Sequence, residues 1–132
     1  MKHDSVGPAG YLWSPPGGGV EFGQSIIETL ENEFLEETHL KVRVQEYLFT
    51  NEFIDQKHHA IEHFFSVTRL SGEPKLGNDP ELSPERQILS EVRFFGKEEL
   101  DELPENAIHN AFIAAGERDK INELRGLITF KH

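Results

Sequence analysis

A run of two prolines and three glycines, Pro15 to Gly19, interrupts the chain early. Proline fixes φ and removes a backbone donor, and glycine has no Cβ, so this run fits neither a helix nor the interior of a strand. The residues on either side must therefore form separate elements joined by a shaped loop. Directly after the loop, Ser25 followed three residues later by Glu28 predicts the capped start of a helix.

The rest of the chain predicts a mixture of helices and strands in one domain, residues 1–132. Apolar residues at helical spacing after Ser25 predict a helix over about 26–38. β-Branched and aromatic residues predict strands over 40–53, 60–70 and about 87–95, with a long polar loop over 75–86. Helices are predicted over 97–103 and 106–118, whereas 121–130 fits either a helix or a short strand. The fold class is therefore α/β or α+β.

The composition excludes several classes of function. The chain has no cysteine, which excludes disulfides, thiolate metal sites and cysteine nucleophiles. A formal charge of −11 over 132 residues argues against docking on nucleic acid or on an anionic membrane surface. No apolar run reaches the length of a membrane span or of a signal peptide, so we expect a cytoplasmic protein.

The predicted helix is unusually acidic. Between Gln24 and Leu40 it carries five glutamates and neither lysine nor arginine. With about 100° per residue, Glu33 and Glu37 fall on the same side as the core-facing Leu30, and Glu36 lies at the border of that side. Unpaired carboxylates are poorly tolerated there, so a cation is expected among them. A solvated acidic face is the ordinary alternative, but the inward placement disfavours it.

Three oxygen donors on one helix suit Mg²⁺ or Mn²⁺, which bridge to substrate phosphates. The glycine loop before the helix would let the backbone of Gly17 and Gly18 approach those phosphates, although a simple tight turn explains the glycines equally well. A second polar cluster, His58, His59, His63 and Glu62, lies in a predicted strand. Its side chains alternate between faces, so we expect a hydrogen-bonded strand histidine near substrate rather than a metal site.

The segment GGGVEFGQSIIETLENEFLEETHL, Gly17 to Leu40, resembles the Nudix box, G-x5-E-x7-R-E-U-x-E-E-x-G-U, where U is aliphatic. Gly18 takes the first glycine, Glu33 the glutamate after the arginine, and Glu36 and Glu37 the paired glutamates. Three positions depart from the pattern: Gln24 replaces the first glutamate, Asn32 the arginine and His39 the second glycine. Two neutral amides in place of the glutamate and the arginine can still hydrogen-bond to each other.

The resemblance implies a Nudix-like α/β/α sandwich with a mixed sheet. Family members have a strand and most of a second before the position of Lys2, so this fold would lack the first N-terminal strand or strands. Either the chain is a shortened version of the fold, or a neighbouring copy supplies strand edges in a homodimer.

The resemblance further implies a metal-dependent hydrolase of a small molecule, a nucleoside diphosphate linked to another moiety. Glu33, Glu36 and Glu37 would hold Mg²⁺ or Mn²⁺, and Glu33 would also orient or deprotonate the water. In some relatives a loop supplies the base, and here that loop offers Glu85, with Glu81 and Glu91 less favoured. The alternative from another class is a non-catalytic module that senses a nucleotide or sugar phosphate. A purely structural interaction domain leaves the inward-facing glutamates unexplained.

Overall fold

Two three-stranded sheets and one long helix form the framework of the computed structural model, which describes residues 1–4, 8–77 and 89–132. The elements, in chain order, are β1 (Lys2–Asp4), β2 (Tyr11–Trp13), α1 (Ile26–Thr38), β3 (Lys41–Ile54), β4 (His59–Ser71), β5 (Leu89–Glu91), α2 (Lys97–Asp101), a 3-10 turn (Glu105–Ala107), α3 (Asn110–Ala114), a second 3-10 segment (Arg118–Glu123) and β6 (Gly126–Lys131). Each described helix is too short or too polar to cross a bilayer.

The two sheets differ in size and in strand direction. The smaller has the order β2-β1-β5, with β1 antiparallel to both neighbours. The larger has the order β4-β3-β6: β3 and β4 form a long antiparallel hairpin, and β6 lies parallel to β3. This mixed sheet with helices confirms the predicted α/β class. β1 and β2, of three residues each, were not predicted from the sequence.

Helix α1 has the predicted limits because its local signals are strong. Ser25 Oγ accepts a hydrogen bond from the Glu28 N–H at 3.0 Å, which is the predicted N-cap. At the other end, the segment after β4 caps the C-terminus of the helix. The Lys75 and Gly77 N–H groups donate to the Thr38 and Glu37 carbonyls, both at 2.9 Å, and so satisfy carbonyls that a helix end leaves open.

The buried side of α1 is polar. Thr29, Glu33, Glu37 and Thr38 are its buried residues. Ile26 is exposed, whereas Leu30 and Phe34 are half-buried and line a cavity. The placement of Glu33 and Glu37 toward the interior is therefore confirmed, but the predicted apolar side faces the cavity rather than the core.

The hairpin strands match the predicted ranges within a few residues, and the C-terminal third differs from its prediction. Of the predicted strand over 87–95, residues 87 and 88 lie outside the described residues, Leu89–Glu91 form a strand, and 92–95 do not. The single helix over 106–118 is wrong, because Ile108 bridges to Trp13 and the His109 N–H donates to the Trp13 carbonyl at 2.9 Å. This pairing requires extended backbone at Ile108, where φ is −124° and ψ is 153°. The ambiguous tail resolves into the second 3-10 segment and β6.

A small core joins the hairpin to the C-terminal region. Leu48, Phe49 and Ala111 are its buried members, and Phe64 stacks on Phe49 with ring centroids 4.5 Å apart. Ile121, Leu124 and Ile128 pack around them. The core thereby fixes the start of α3 against β3 and β4, which places His109 beside the cavity described next.

Candidate functional site

A cavity of about 490 Å³ lies between the glycine loop and the exposed edge of β4. Its walls are the loop over 15–20, the apolar side of α1, residues 61–65 of β4, and His109. The volume is within the range of small-molecule sites, which are mostly apolar with a few placed polar groups. The described part of the chain thus contains one concave region that combines the predicted glycine loop with polar side chains.

Gly18 and Glu33 meet at the edge of this cavity. A Cβ atom at Gly18 would lie 3.0 Å from the Glu33 carboxyl carbon and 3.1 and 3.2 Å from its two oxygens. A Cβ atom at Gly17 or at Gly19 would have no such neighbour within 4 Å. Close approach of a carboxylate to backbone is therefore the reason for glycine at position 18, and Glu33 is held with only 8% of its surface exposed.

Glu37 lies one helical turn further on and is 4% exposed. The Met1 amino group is near enough to interact with it electrostatically. Burial lowers the pKa of this amino group to about 6, against the opposing charges of Glu37 and Glu91. The two carboxyl groups, four residues apart, therefore both lie on the buried side of α1, as the helical angles predict.

Glu36, the third predicted ligand, is exposed. The structure therefore brings Glu33 and Glu37 to the same buried side and leaves Glu36 at its border. Within residues 1–4, 8–77 and 89–132, no three His, Cys, Asp or Glu side chains converge in a ready-made metal site. The donor set nevertheless fits a hard divalent cation, because carboxylate oxygens are its preferred ligands and the carboxyl groups of Glu33 and Glu37 are buried on the same side of α1.

The three departures from the Nudix box have different structural settings. Gln24 Oε1 accepts from Thr29 Oγ1 at 3.3 Å, and Asn32 is exposed. The predicted pairing of the two amides is therefore wrong. His39 has a φ of 59°, a left-handed conformation at the helix C-cap in which glycine is the least strained residue.

The remaining sequence candidates are spread over the chain. Glu85 and Glu81 lie outside the described residues. Glu91 ends β5 and is exposed. His58 hydrogen-bonds to Asp55 and His59 to Glu52, both at the exposed end of the hairpin. His63 lines the cavity and contacts Thr50 Oγ1 at 2.9 Å, so the described histidines of the cluster have separate partners.

Sequence analysis missed a buried polar network in the cavity wall. Glu62 Oε1 lies 3.0 Å from both Asn51 Nδ2 and His109 Nε2. Asn51 is fully buried, and it exchanges a pair of amide hydrogen bonds with Asn110 at 2.8 and 3.2 Å. Glu62 and His109 both line the cavity. The sequence analysis had named Glu62 in the polar cluster of β4, but no sequence signal related it to Asn51 or His109.

The protonation of the network follows from its geometry. His109 Nδ1 accepts from the Ala111 N–H at 3.1 Å, so the imidazole proton resides on Nε2 and is donated to Glu62. Burial raises the pKa of Glu62, but the hydrogen bond and charge of His109 and the amide of Asn51 outweigh it, and the net pKa is below the ordinary value. Glu62 is therefore ionised at neutral pH.

Comparison with known proteins agrees with this architecture. A family model described as the NUDIX domain matches residues 2–115. A crystal structure described as a NUDIX hydrolase from Nitrosomonas europaea is similar, with a TM-score of 0.65 and 20% identity over 97% of this chain and 69% of that one. At this identity the likeness shows the fold alone. Among curated proteins, none matches the chain significantly.

Proposed function

The chain belongs to the NUDIX domain family, whose members are typically hydrolases, and we propose that it cleaves the pyrophosphate bond of a nucleoside diphosphate linked to another moiety. Water is the nucleophile, and Mg²⁺ or Mn²⁺ is the cofactor. The observation that carries this proposal is the pair of buried carboxyl groups, Glu33 and Glu37, on a helix that lines a cavity of about 490 Å³, with Glu33 close to Gly18 of the cavity wall.

Each site residue has a role that its position supports. Glu33, Glu36 and Glu37 would hold the divalent cation, with the exposed Glu36 reaching it from the border of the buried side. When bound, the cation neutralises the phosphate oxygens on which charge develops. Gly17 and Gly18 let the backbone approach the phosphates. Glu33, fixed against Gly18, orients the attacking water or accepts its proton.

Glu85 is proposed as an additional general base. Described residues that precede and follow it in the chain lie near Glu37 or near the Met1 amino group. Gly77 hydrogen-bonds to the Glu37 carbonyl, and Glu91 is close enough to interact with the Met1 amino group. A Glu85→Gln variant should lose turnover while Glu81→Gln keeps it, and the reverse result would assign the base to Glu81.

The central test replaces Glu37 by Gln. Turnover of nucleoside diphosphate derivatives with Mg²⁺ or Mn²⁺ should fall by about 100-fold or more, because a misplaced reactant or cofactor costs at least that much. Folding should be little affected, because loss of a like charge next to Glu33 offsets the lost contacts. Glu28→Gln is the matched control, since it removes one charge from an exposed position of the same helix. Unchanged turnover in Glu37→Gln would contradict the assignment.

A second candidate is a module that binds a nucleotide or sugar phosphate without cleaving it. The specific observation in its favour is that Gln24, at the first glutamate position of the box, serves a local contact with Thr29. A panel of nucleoside diphosphate derivatives, incubated with and without metal, separates the two functions. Metal-dependent product release supports hydrolysis, and tight binding of intact ligand supports sensing.

A further inference from the structure

Glu62 is a charged acceptor with a fixed orientation. Oε1 accepts from Asn51 and from His109, both at 3.0 Å, and Oε2 shares the same His109 proton at 3.2 Å. A carboxylate offers about four lone-pair positions, so one position on Oε2 remains for another donor. No other donor among the described residues is bonded to it, and 39% of the Glu62 side chain is exposed.

The side chains that donate hydrogen bonds to Glu62 are themselves held in fixed orientations. His109 is held by the Ala111 N–H, and its side chain is only 10% exposed. Asn51 is fully buried, and its amide orientation is set by reciprocal bonds to Asn110. At neutral pH, Glu62 therefore presents an ionised oxygen to the cavity. This oxygen does not need to reorganise when a ligand binds.

The chemistry of this wall selects what can bind beside it. A negative oxygen repels phosphate groups and carbonyl oxygens and attracts an N–H donor. Its neighbours along the wall include the apolar Ile61 and Phe64 as well as the imidazole ring of His63, and the apolar side of α1 lines the same cavity. Such surroundings suit a flat ring with one polar substituent better than a sugar with several hydroxyl groups.

We propose that Glu62 is a specificity-determining residue whose Oε2 accepts a hydrogen bond from the exocyclic amino group of a nucleobase. The substrate then carries adenine, guanine or cytosine, because uracil and thymine present carbonyl oxygens where this amino group would be. This inference rests on the proposed function for the identity of the ligand as a nucleotide. His109 and Asn51 act as positioning residues that hold the carboxylate in place.

The test compares cytidine and uridine monophosphates, which have the same size and differ at C4, an amino group in cytosine and a carbonyl in uracil, and at N3, which carries a proton only in uracil. Binding to the wild-type chain, measured by titration calorimetry without turnover, should favour the cytidine compound by about tenfold, the effect of one hydrogen bond to a charged group. In Glu62→Gln the side-chain oxygen should stay with Asn51 and His109, and the amide N–H₂ group should face the cavity. The variant should therefore bind the uridine compound at least as well as the cytidine compound.

The matched control is Glu52→Gln, which alters another carboxylate of the same hairpin that is also paired with a histidine, at 2.7 Å. It should keep the wild-type preference for cytidine. Equal affinity of the wild-type chain for both compounds, including no measurable binding of either, overturns the inference. A uniform loss of affinity in Glu62→Gln also overturns it and assigns the contact to the ribose.

Two further outcomes keep the inference separate from the proposed function. Preference for the amino base without hydrolysis of the corresponding diphosphate derivatives refutes hydrolysis and supports the role of Glu62. Hydrolysis with no preference among bases supports the proposed hydrolysis and refutes the role of Glu62. If Glu62→Gln does not fold, wild-type binding of adenosine and inosine monophosphates decides the question, because these purines also exchange an amino group for a carbonyl, and equal affinity overturns the inference.

Discussion

Gly18 is the point at which the glycine loop touches the acidic helix. A methyl group at this position would lie 3.0 to 3.2 Å from three atoms of the Glu33 carboxyl group, which is closer than ordinary packing. Because the obstructed atoms are the end of a side chain, the carboxylate can shift by a few tenths of an ångström at small cost in stability. The position of this carboxyl group relative to the glycine loop would change with that shift.

Gly18→Ala should therefore lower turnover by about tenfold, with little change in the free energy of unfolding. Gly19→Ala is the matched control, because its Cβ meets nothing within 4 Å and its backbone needs no left-handed conformation. Steady-state kinetics and urea denaturation of the two variants measure the effects. Equal turnover in both would show that the contact between Gly18 and Glu33 does not matter for the reaction.

Individual site residues differed in how well the sequence could predict them. The burial of Glu33 and Glu37 follows from helical angles within one element, so sequence alone predicted it. The contact between Glu62 and His109 joins residues that are 47 positions apart, and no local pattern relates them. Gln24 was paired with the wrong residue because its actual partner, Thr29, lies on the buried polar stripe that the sequence analysis had not identified.

At the scale of elements, the C-terminus of α1 depends on the segment that leaves β4. A Cβ at Gly77 would lie 1.9 Å from the Glu36 carbonyl oxygen and 2.9 Å from its carbon, and both are backbone atoms that cannot move aside. The Gly77 N–H also donates to the Glu37 carbonyl at 2.9 Å. This segment thereby fixes the backbone that carries two of the predicted metal ligands.

Gly77→Ala should lower the free energy of unfolding by about 1–3 kcal/mol, because overpacking displaces the segment and breaks this hydrogen bond. Turnover should fall as well, since Glu36 and Glu37 would shift. Lys75→Ala is a suitable control: it keeps the backbone N–H that bonds to Thr38, and its side chain is exposed. Chemical denaturation compares the two variants, and a Gly77→Ala chain as stable as the wild type would contradict the tight contact.

The predictability of the elements follows the range of their interactions. α1 was predicted to the residue because the Ser25 cap and the helical spacing are local signals. β3 and β4 were predicted because each is long and rich in β-branched and aromatic residues. The helix over 106–118 was predicted wrongly because pairing of Ile108 with Trp13, almost a hundred residues away, overrides local helix propensity.

At the scale of the whole molecule, the Glu62 network connects three regions of the chain. Glu62 is on β4, Asn51 is on the central strand β3, and His109 and Asn110 begin α3. Its hydrogen bonds therefore join the C-terminal third to the large sheet beside the small core of Leu48, Phe49 and Ala111. A protonation change at Glu62 should be felt as a change in global stability.

The pKa of Glu62 is lowered in the folded chain from its ordinary value of 4.5. The folded state then binds fewer protons than the unfolded state near that pH, so ionised Glu62 stabilises the fold above it. This contribution is lost as the pH falls through the folded pKa. Glu62→Gln removes the titrating group but keeps the shape of the side chain.

The difference in free energy of unfolding between the wild-type chain and Glu62→Gln should therefore shrink as the pH is lowered from about 7 to about 4. Urea denaturation at several pH values measures it, and Glu28→Gln reports the effect of removing one negative charge from a chain with a formal charge of −11. A difference that stays constant, or grows toward acid pH, would show that the hydrogen bonds of His109 and Asn51 do not favour the ionised carboxylate. The same result would remove the charged acceptor on which recognition of an amino-bearing base depends.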